Sequence, residues 1–125
     1  MSDYKYIKFT DLTSAVGQTE QTVAIYGLRN NTFSSTYVTV NFQYILGDVA
    51  DNAFSIGVVG PDGSTPFTSG GAAGYDVDAY VNFANAIVDF VLDAVENGKK
   101  VTEVKAGLEG TIRQDLGVIT SVSFN

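Results

Sequence analysis

Paired carboxylates are the catalytic material left to a chain that contains no His and no Cys among its 125 residues. That composition excludes imidazole acid–base catalysis, thiolate nucleophiles, thiol redox chemistry, Ser-His-Asp and Cys-His arrangements and the usual zinc and copper ligands. Asp76-Val77-Asp78 and Asp48-Val49-Ala50-Asp51 are spaced to hold a cation or to divide acid and base roles. Asp62-Gly63-Ser64 matches a fragment of a calcium loop, without that loop's further carboxylates or its closing Glu. Asp89 and Asp93 would be i, i+4 neighbours on a helix, where their mild repulsion is tolerable on a solvated face. Arg29 and Arg113 are the only arginines and suit either an anion clamp or surface ion pairs. In a chain with 14 acidic residues, two acids two or three apart arise by chance. None of these pairs is therefore taken as a site. The reading expects no catalytic residue, no cofactor, no metal ligand and a non-enzymatic role.

The charge pattern narrows the partners. Seven basic residues against 14 acidic ones give a net charge of −7. No basic residue falls between Arg29 and Lys99, whereas Asp48, Asp51, Asp62, Asp76, Asp78, Asp89, Asp93 and Glu96 all do. Phosphate binding needs clustered Lys and Arg, so direct binding to nucleic acid or to an anionic membrane is not expected. The first residues, Met-Ser-Asp-Tyr-Lys, lack the basic-then-apolar layout of a signal peptide. The expected location is therefore the compartment of synthesis. Only 17% of residues are charged, against about 25% in ordinary soluble domains. A surface with so few charges tends to be buried against something else.

The elements that would position these residues follow from periodicity. Tyr4 to Thr10 and Gln21 to Leu28 are rich in aromatic and β-branched residues and read as strands. Arg29-Asn30-Asn31-Thr32 supplies residues that tolerate positive φ, predicting a hairpin turn into a third strand from Thr36 to Ile45. There Val38, Val40, Phe42 and Tyr44 alternate with Thr39, Asn41 and Gln43. Phe54, Ile56 and Val58 mark a fourth strand. Gly60 to Tyr75 contains both prolines and has no periodicity, which fits a functional lid, binding loop or arm, a disordered segment or a plain sheet-to-helix connection. The Gly70 to Gly74 run is not read as a phosphate cradle, because it has no Lys and because Asp76 and Asp78 would face the anion.

Asp76 to Asn97 predicts one long helix, with Asp76 as N-cap and Gly98 at the C′ position. Asp78, Asn82, Asn85, Asp89, Asp93 and Glu96 fall within about 80° of one another at helical spacing. Nearly everything else is apolar, in a smooth part (Val77, Val81, Ala84, Val88, Val91, Val95) and a bulky part (Tyr80, Phe83, Ile87, Phe90, Ala94). That arc is about twice the ~100° stripe an ordinary surface helix buries. A membrane span is excluded, because Asp78, Asp89 and Asp93 would each cost ~2.5–3.5 kcal/mol near the bilayer centre. Two covers are therefore needed. One sheet supplies the first, and the second is either another sheet of the same chain or a neighbouring subunit. On the latter alternative Val77, Val81, Val88, Val91 and Val95, together with Pro66 and Phe67, are the interface candidates.

After the helix, Val101 to Ala106 reads as a strand, and Leu108 to Arg113 with Val118 to Phe124 reads as a second hairpin around Gln114 to Gly117. The expected fold is a single α+β domain: a mainly antiparallel sheet of about six or seven strands, sandwich- or barrel-like, packed on one long helix. This β-rich acidic body without His or Cys, with Gly/Ser/Thr-rich turns and an arm-like loop before one helix, resembles small virion proteins of tailed bacteriophages. The resemblance covers composition and element order and assigns no residue. It implies a self-associating head-decoration, head–tail joining or tail-tube subunit, forming a ring or trimer with itself and meeting other virion proteins, in the virion or the host cytoplasm. The alternative reading is a small acidic module that sequesters a small ligand or blocks a basic partner surface.

Overall fold

A computed structural model describes residues 4–13, 19–45 and 52–124, apart from the side chains at 29 and 45. Among the described residues the fold is α+β: seven strands in two sheets, mostly antiparallel, packed on a single helix, with a sandwich-like form and no closed barrel. In chain order the strands are β1 (Lys5–Thr10), β2 (Gln21–Ile25), β3 (Gly27–Phe33), β4 (Thr39–Ile45) and β5 (Asn52–Val59). Helix α1 (Val77–Asn97) follows, then β6 (Val101–Lys105) and β7 (Val118–Phe124). The first sheet runs β2-β1-β6 and the second β3-β4-β5-β7. Among the described residues only the β1–β6 pairing is parallel, with Tyr6 beside Val101 and Phe9 beside Val104.

The helix forms where its periodicity predicts. Asp76 caps it by accepting from the Ala79 N–H at 2.9 Å. Every member of the polar stripe, from Asp78 to Glu96, is exposed. Tyr80, Phe83, Ala84, Ile87, Val88, Val91 and Ala94 are buried. Both covers come from this same chain, because α1 contacts β1 of one sheet and β3 of the other. Its buried face belongs to one continuous core with Ile7, Phe9, Val23 and Ile25 on one side and Val40, Phe42, Phe54 and Ile56 on the other. Tyr80 pins the helix to the β3–β4 reversal: its hydroxyl donates to the Thr39 carbonyl at 2.6 Å and accepts from the Ser34 N–H at 2.9 Å. Burial raises the Tyr80 pKa, and the Ser34 donor offsets part of that rise.

Four local expectations are corrected. The segment Arg29 to Thr32 is not a turn but the middle of β3, with Asn30 beside Gln43, Asn31 beside Phe42 and Thr32 beside Asn41. Cross-strand pairing overrides the turn preference of the asparagines, and a register shift between Leu28 and Asn30 absorbs the one irregularity. The reversal lies at Ser34 to Val38 instead, where the Ser34 hydroxyl accepts from the N–H groups of Thr36 and Val38, and Tyr37 adopts φ 62°. The single strand expected from Gln21 to Leu28 breaks at Tyr26, where the chain passes from one sheet to the other.

The second hairpin is absent: residues 107–117 form turns, and β7 pairs antiparallel with β5. Gly107 at φ 82° ends the β6 direction, and the Thr111 N–H closes back onto the Lys105 carbonyl at 3.0 Å. Gly98 does not take the left-handed C′ conformation, since its φ is −79°. A side chain there would stand 2.4 Å from the Ala94 carbonyl oxygen, so close approach explains the glycine.

Val91→Asp would place a charge in the middle of this core. It should lower stability by ~3 kcal/mol or more and abolish the cooperative melt read by circular dichroism. Leu92→Asp, on the exposed flank of the same turn, should stay within about 0.5 kcal/mol of the parent. Tyr80→Phe keeps the ring and loses both hydrogen bonds, and should cost about 1–2 kcal/mol in denaturant unfolding.

Candidate interaction surface

Three of the candidate carboxylates, Asp62, Asp76 and Asp93, are committed to local structure. Asp76 is spent on the helix cap and Asp78 stands exposed beside it. Asp62 closes a turn, accepting from the N–H groups of Ser64 (2.9 Å) and Thr65 (2.8 Å) and from the Thr65 hydroxyl. These donors hold its carboxyl below the usual range, the Thr65 hydroxyl most of all. Asp89 and Asp93 lie on the exposed stripe, and Asp93 accepts from the Asn97 amide at 3.2 Å. Asp48 and Asp51 lie outside the described residues. Among the described residues no three acidic side chains are grouped to hold a metal ion. Arg113 makes a bidentate pair with Asp115, at 2.9 and 2.8 Å, which raises its own pKa and lowers that of Asp115. The Arg29 side chain falls outside the described set.

The interface candidates divide by burial. Phe67, Val88 and Val91 lie within the chain's own core, whereas Val77, Val81 and Val95 are half-buried along the flank of α1 and Pro66 is exposed. Phe67 packs on the rings of Tyr80 and Phe83, so the 60–75 loop is anchored to the core at its apolar point. Further bonds close the loop on itself, from the Gly60 N–H to the Thr65 carbonyl and from the Thr68 N–H to the Tyr75 carbonyl.

An open apolar patch lies on the outer face of the β2-β1-β6 sheet. Period-two alternation buries Ile7, Phe9, Val23, Ile25 and Val104 and turns their neighbours outward. Cross-strand register then sets Ala24, Tyr6 and Val101 in one row. Tyr4 and Tyr26 continue the patch, with ring centroids 5.7 Å apart. Val101 is 49% exposed and Tyr26 48%. Below this row the face turns polar, with Lys8 and Glu103 paired in register and Lys8 3.7 Å from Glu20. Tyrosines with an apolar body and a hydroxyl rim are typical of surfaces that meet other proteins.

The same sheet ends on an open edge. In the parallel ladder the Tyr6 N–H donates to the Lys100 carbonyl and the Ala106 N–H to the Thr10 carbonyl. This alternation aims the backbone groups of Thr102 and Val104 at β1 and those of Val101, Glu103 and Lys105 away from it. Lys105 is satisfied by Thr111, whose hydroxyl accepts from the Lys105 N–H at 2.8 Å. Among the described residues nothing pairs with the Val101 and Glu103 backbone. They border an open groove of about 510 Å³ between β6 and the C-terminal half of α1, lined by Phe90, Asp93, Ala94, Asn97, Lys99 and Thr102 among others.

Neither patch nor edge was read from the sequence. Tyr4, Tyr6 and Val101 become neighbours only through a parallel pairing of strands about 95 positions apart in the chain. The alternation of Tyr4 and Tyr6 with Lys5 and Ile7 was the one local signal of an outward aromatic row. No protein-family model, curated protein or solved structure matches the chain.

The turn at Asp62 yields a pH test. A carboxyl whose folded pKa is depressed contributes fully above its unfolded value and loses that contribution as pH falls through the folded value. The carboxyl resonance of Asp62 should therefore titrate below those of ordinary aspartates, and the amide resonances of Ser64 and Thr65 should move at the same pH. Asp62→Asn should remove that titration from both amides.

Proposed function

We propose that this chain is a non-enzymatic structural protein that works by self-association, of the kind that serves as a head-decoration, head–tail joining or tail-tube subunit of tailed bacteriophages. On this reading its partners are further copies of itself, in a ring or trimer, and other virion proteins, in the virion or the host cytoplasm. The observation that carries the reading is the row of Ala24, Tyr6 and Val101 with Tyr4 and Tyr26 on one sheet, of which Val101 and Tyr26 are exposed and the others half-buried, continuous with the open β6 edge. Half of a rigid sandwich thus offers aromatic area and backbone donors side by side.

The outer face of the second sheet adds support. Its rows of Thr32, Asn41 and Ser55, and of Asn30, Gln43 and Ala53, carry no charge. Uncharged faces are easily desolvated against a neighbour, because no ion loses its hydration. The buried face of α1 packs on β1 and β3 of this same chain and leaves half-buried flank residues such as Val77, Val81 and Val95 towards solvent. Among the described residues no helix is long and apolar enough to cross a membrane.

The second reading, an acidic module for a basic partner, is favoured by the solvent-facing stripe of Asp78, Asp89, Asp93 and Glu96 along α1. Its mark would be an affinity that falls steeply with added salt.

Size-exclusion chromatography with light scattering at micromolar concentration should give a multiple of the 13.3 kDa chain mass. Tyr26→Ala should weaken that association by about 1–2 kcal/mol and leave the melting temperature nearly unchanged, because Tyr26 stands outside the core. A strict monomer that captures no partner would sink the proposal.

A further inference from the structure

We infer that β6 is a self-complementary docking edge that pairs antiparallel, about a two-fold axis, with β6 of a second copy. The inference rests on the self-association reading and names its contact. The unpaired backbone groups are the N–H and C=O of Val101 and of Glu103, two residues apart on an edge closed at one end by Thr111. In an antiparallel ladder, residues directly opposite exchange both hydrogen bonds at every second position. Setting Val101 opposite Glu103 of the partner subunit makes Glu103 stand opposite the partner's Val101. Every free group of the edge is then used, and none is left over on either copy.

The side chains suit that register. Its axis passes between Thr102 and the partner's Thr102, and Thr–Thr is a favourable cross-strand pair at a position without backbone bonds. Within the paired residues no two charged side chains stand directly opposite, because Glu103 faces the partner's Val101, while Lys99 and the Thr111-closed Lys105 lie outside the pairing. The groove beside α1 leaves the edge open to an incoming strand, which needs ~4.8 Å of lateral room. The product would be a continuous six-stranded sheet, β2-β1-β6 joined to its copy. A two-fold contact closes after two copies, so a ring or trimer would require the tyrosine patch as a separate, heterologous surface.

Amide hydrogen exchange of the intact chain at sub-micromolar and at high micromolar concentration tests the inference. The N–H groups of Val101 and Glu103 should slow by about tenfold or more on association, as two-state protection by a new hydrogen bond requires. The Lys105 N–H, already held by Thr111, should not change. Glu103→Pro removes an outward N–H that the β1–β6 ladder does not use, and proline is tolerated at such an edge position. It should weaken dimerisation by about tenfold or more, whereas Glu103→Gln should still dimerise. Circular dichroism reports whether each variant is folded, and the exchange data on the parent stand whether or not the proline variant folds. Association without protection of Val101 and Glu103, or a folded Glu103→Pro chain that associates like the parent, overturns the β6 contact and leaves the self-association reading intact. A chain that remains monomeric at every concentration overturns the β6 contact, and one that also captures no partner overturns the self-association reading with it.

Discussion

Burial of α1 between two sheets is the constraint on which the rest of the molecule depends. The helix is apolar around most of its circumference, and a helix of that kind is stable in water only if it is enclosed on two sides. A single sheet leaves one flank wet. In this chain β1 and β3, which belong to different sheets, take the two flanks. The crossing at Tyr26, where the chain leaves one sheet for the other, is what allows a short stretch of sequence to serve both. The aromatic group of Phe33, Tyr37, Phe67 and Phe83 around Tyr80 then fixes the position of the helix along its axis. Phe83 meets this group through Phe67.

Enclosing the helix explains why the open edges lie where they do. Each sheet gives its inner face to the core and one strand to the helix, so neither can close on itself into a barrel. The β2-β1-β6 sheet is three strands wide and has its last strand delivered by the helix itself, through Gly98 to Lys100. Lys5 ties the start of β1 to the end of α1 by donating to the Gly98 carbonyl. The β6 edge is thus a consequence of the helix packing, and the residues 107–117 cover only its far end.

How much of this was legible in the sequence depended on the range of the interactions involved. The helix, its cap at Asp76, its polar stripe and its need for two covers all follow from periodicity within 22 consecutive residues, and all are found in the structure. Strand existence was also local, and Val40, Phe42 and Tyr44 face inward as alternation requires, whereas Val38, grouped with them by the same alternation, precedes β4 in the reversal and is 44% exposed. Errors came where a local preference met a non-local partner. Asn30 and Asn31 favour turns in isolation, yet pairing with Gln43 and Phe42 holds them extended. Leu108 to Arg113 alternates like a strand, but β5 pairs with β7 directly and the intervening residues are left to turn. The interaction surface was least legible, because Tyr6 and Val101 meet only through the parallel β1–β6 ladder, whose register no spacing within either segment encodes.

The low charge content takes on a structural meaning once the faces are assigned. Charges on α1 are confined to one stripe by the width of its buried arc, and the outer rows of the β3-β4-β5-β7 sheet carry Thr, Asn, Gln and Ser in place of ions. Ser55 donates to the Asn41 side chain at 2.7 Å, so part of that face satisfies its own polar groups without water. Where such pairs are made, desolvation costs less than it would for free polar groups, and no ionic hydration has to be stripped from these rows. The lysines show the complementary choice. Lys5, Lys8 and Lys105 are tied to the Gly98 carbonyl, to Glu20, and to Asp11 and Glu109 respectively. They frame the tyrosine row without entering it. Apolar area at the centre with paired charges at the margin is the arrangement in which burial supplies affinity and the rim supplies register. It appears on the sheet whose β6 edge leaves the Val101 and Glu103 backbone unpaired among the described residues.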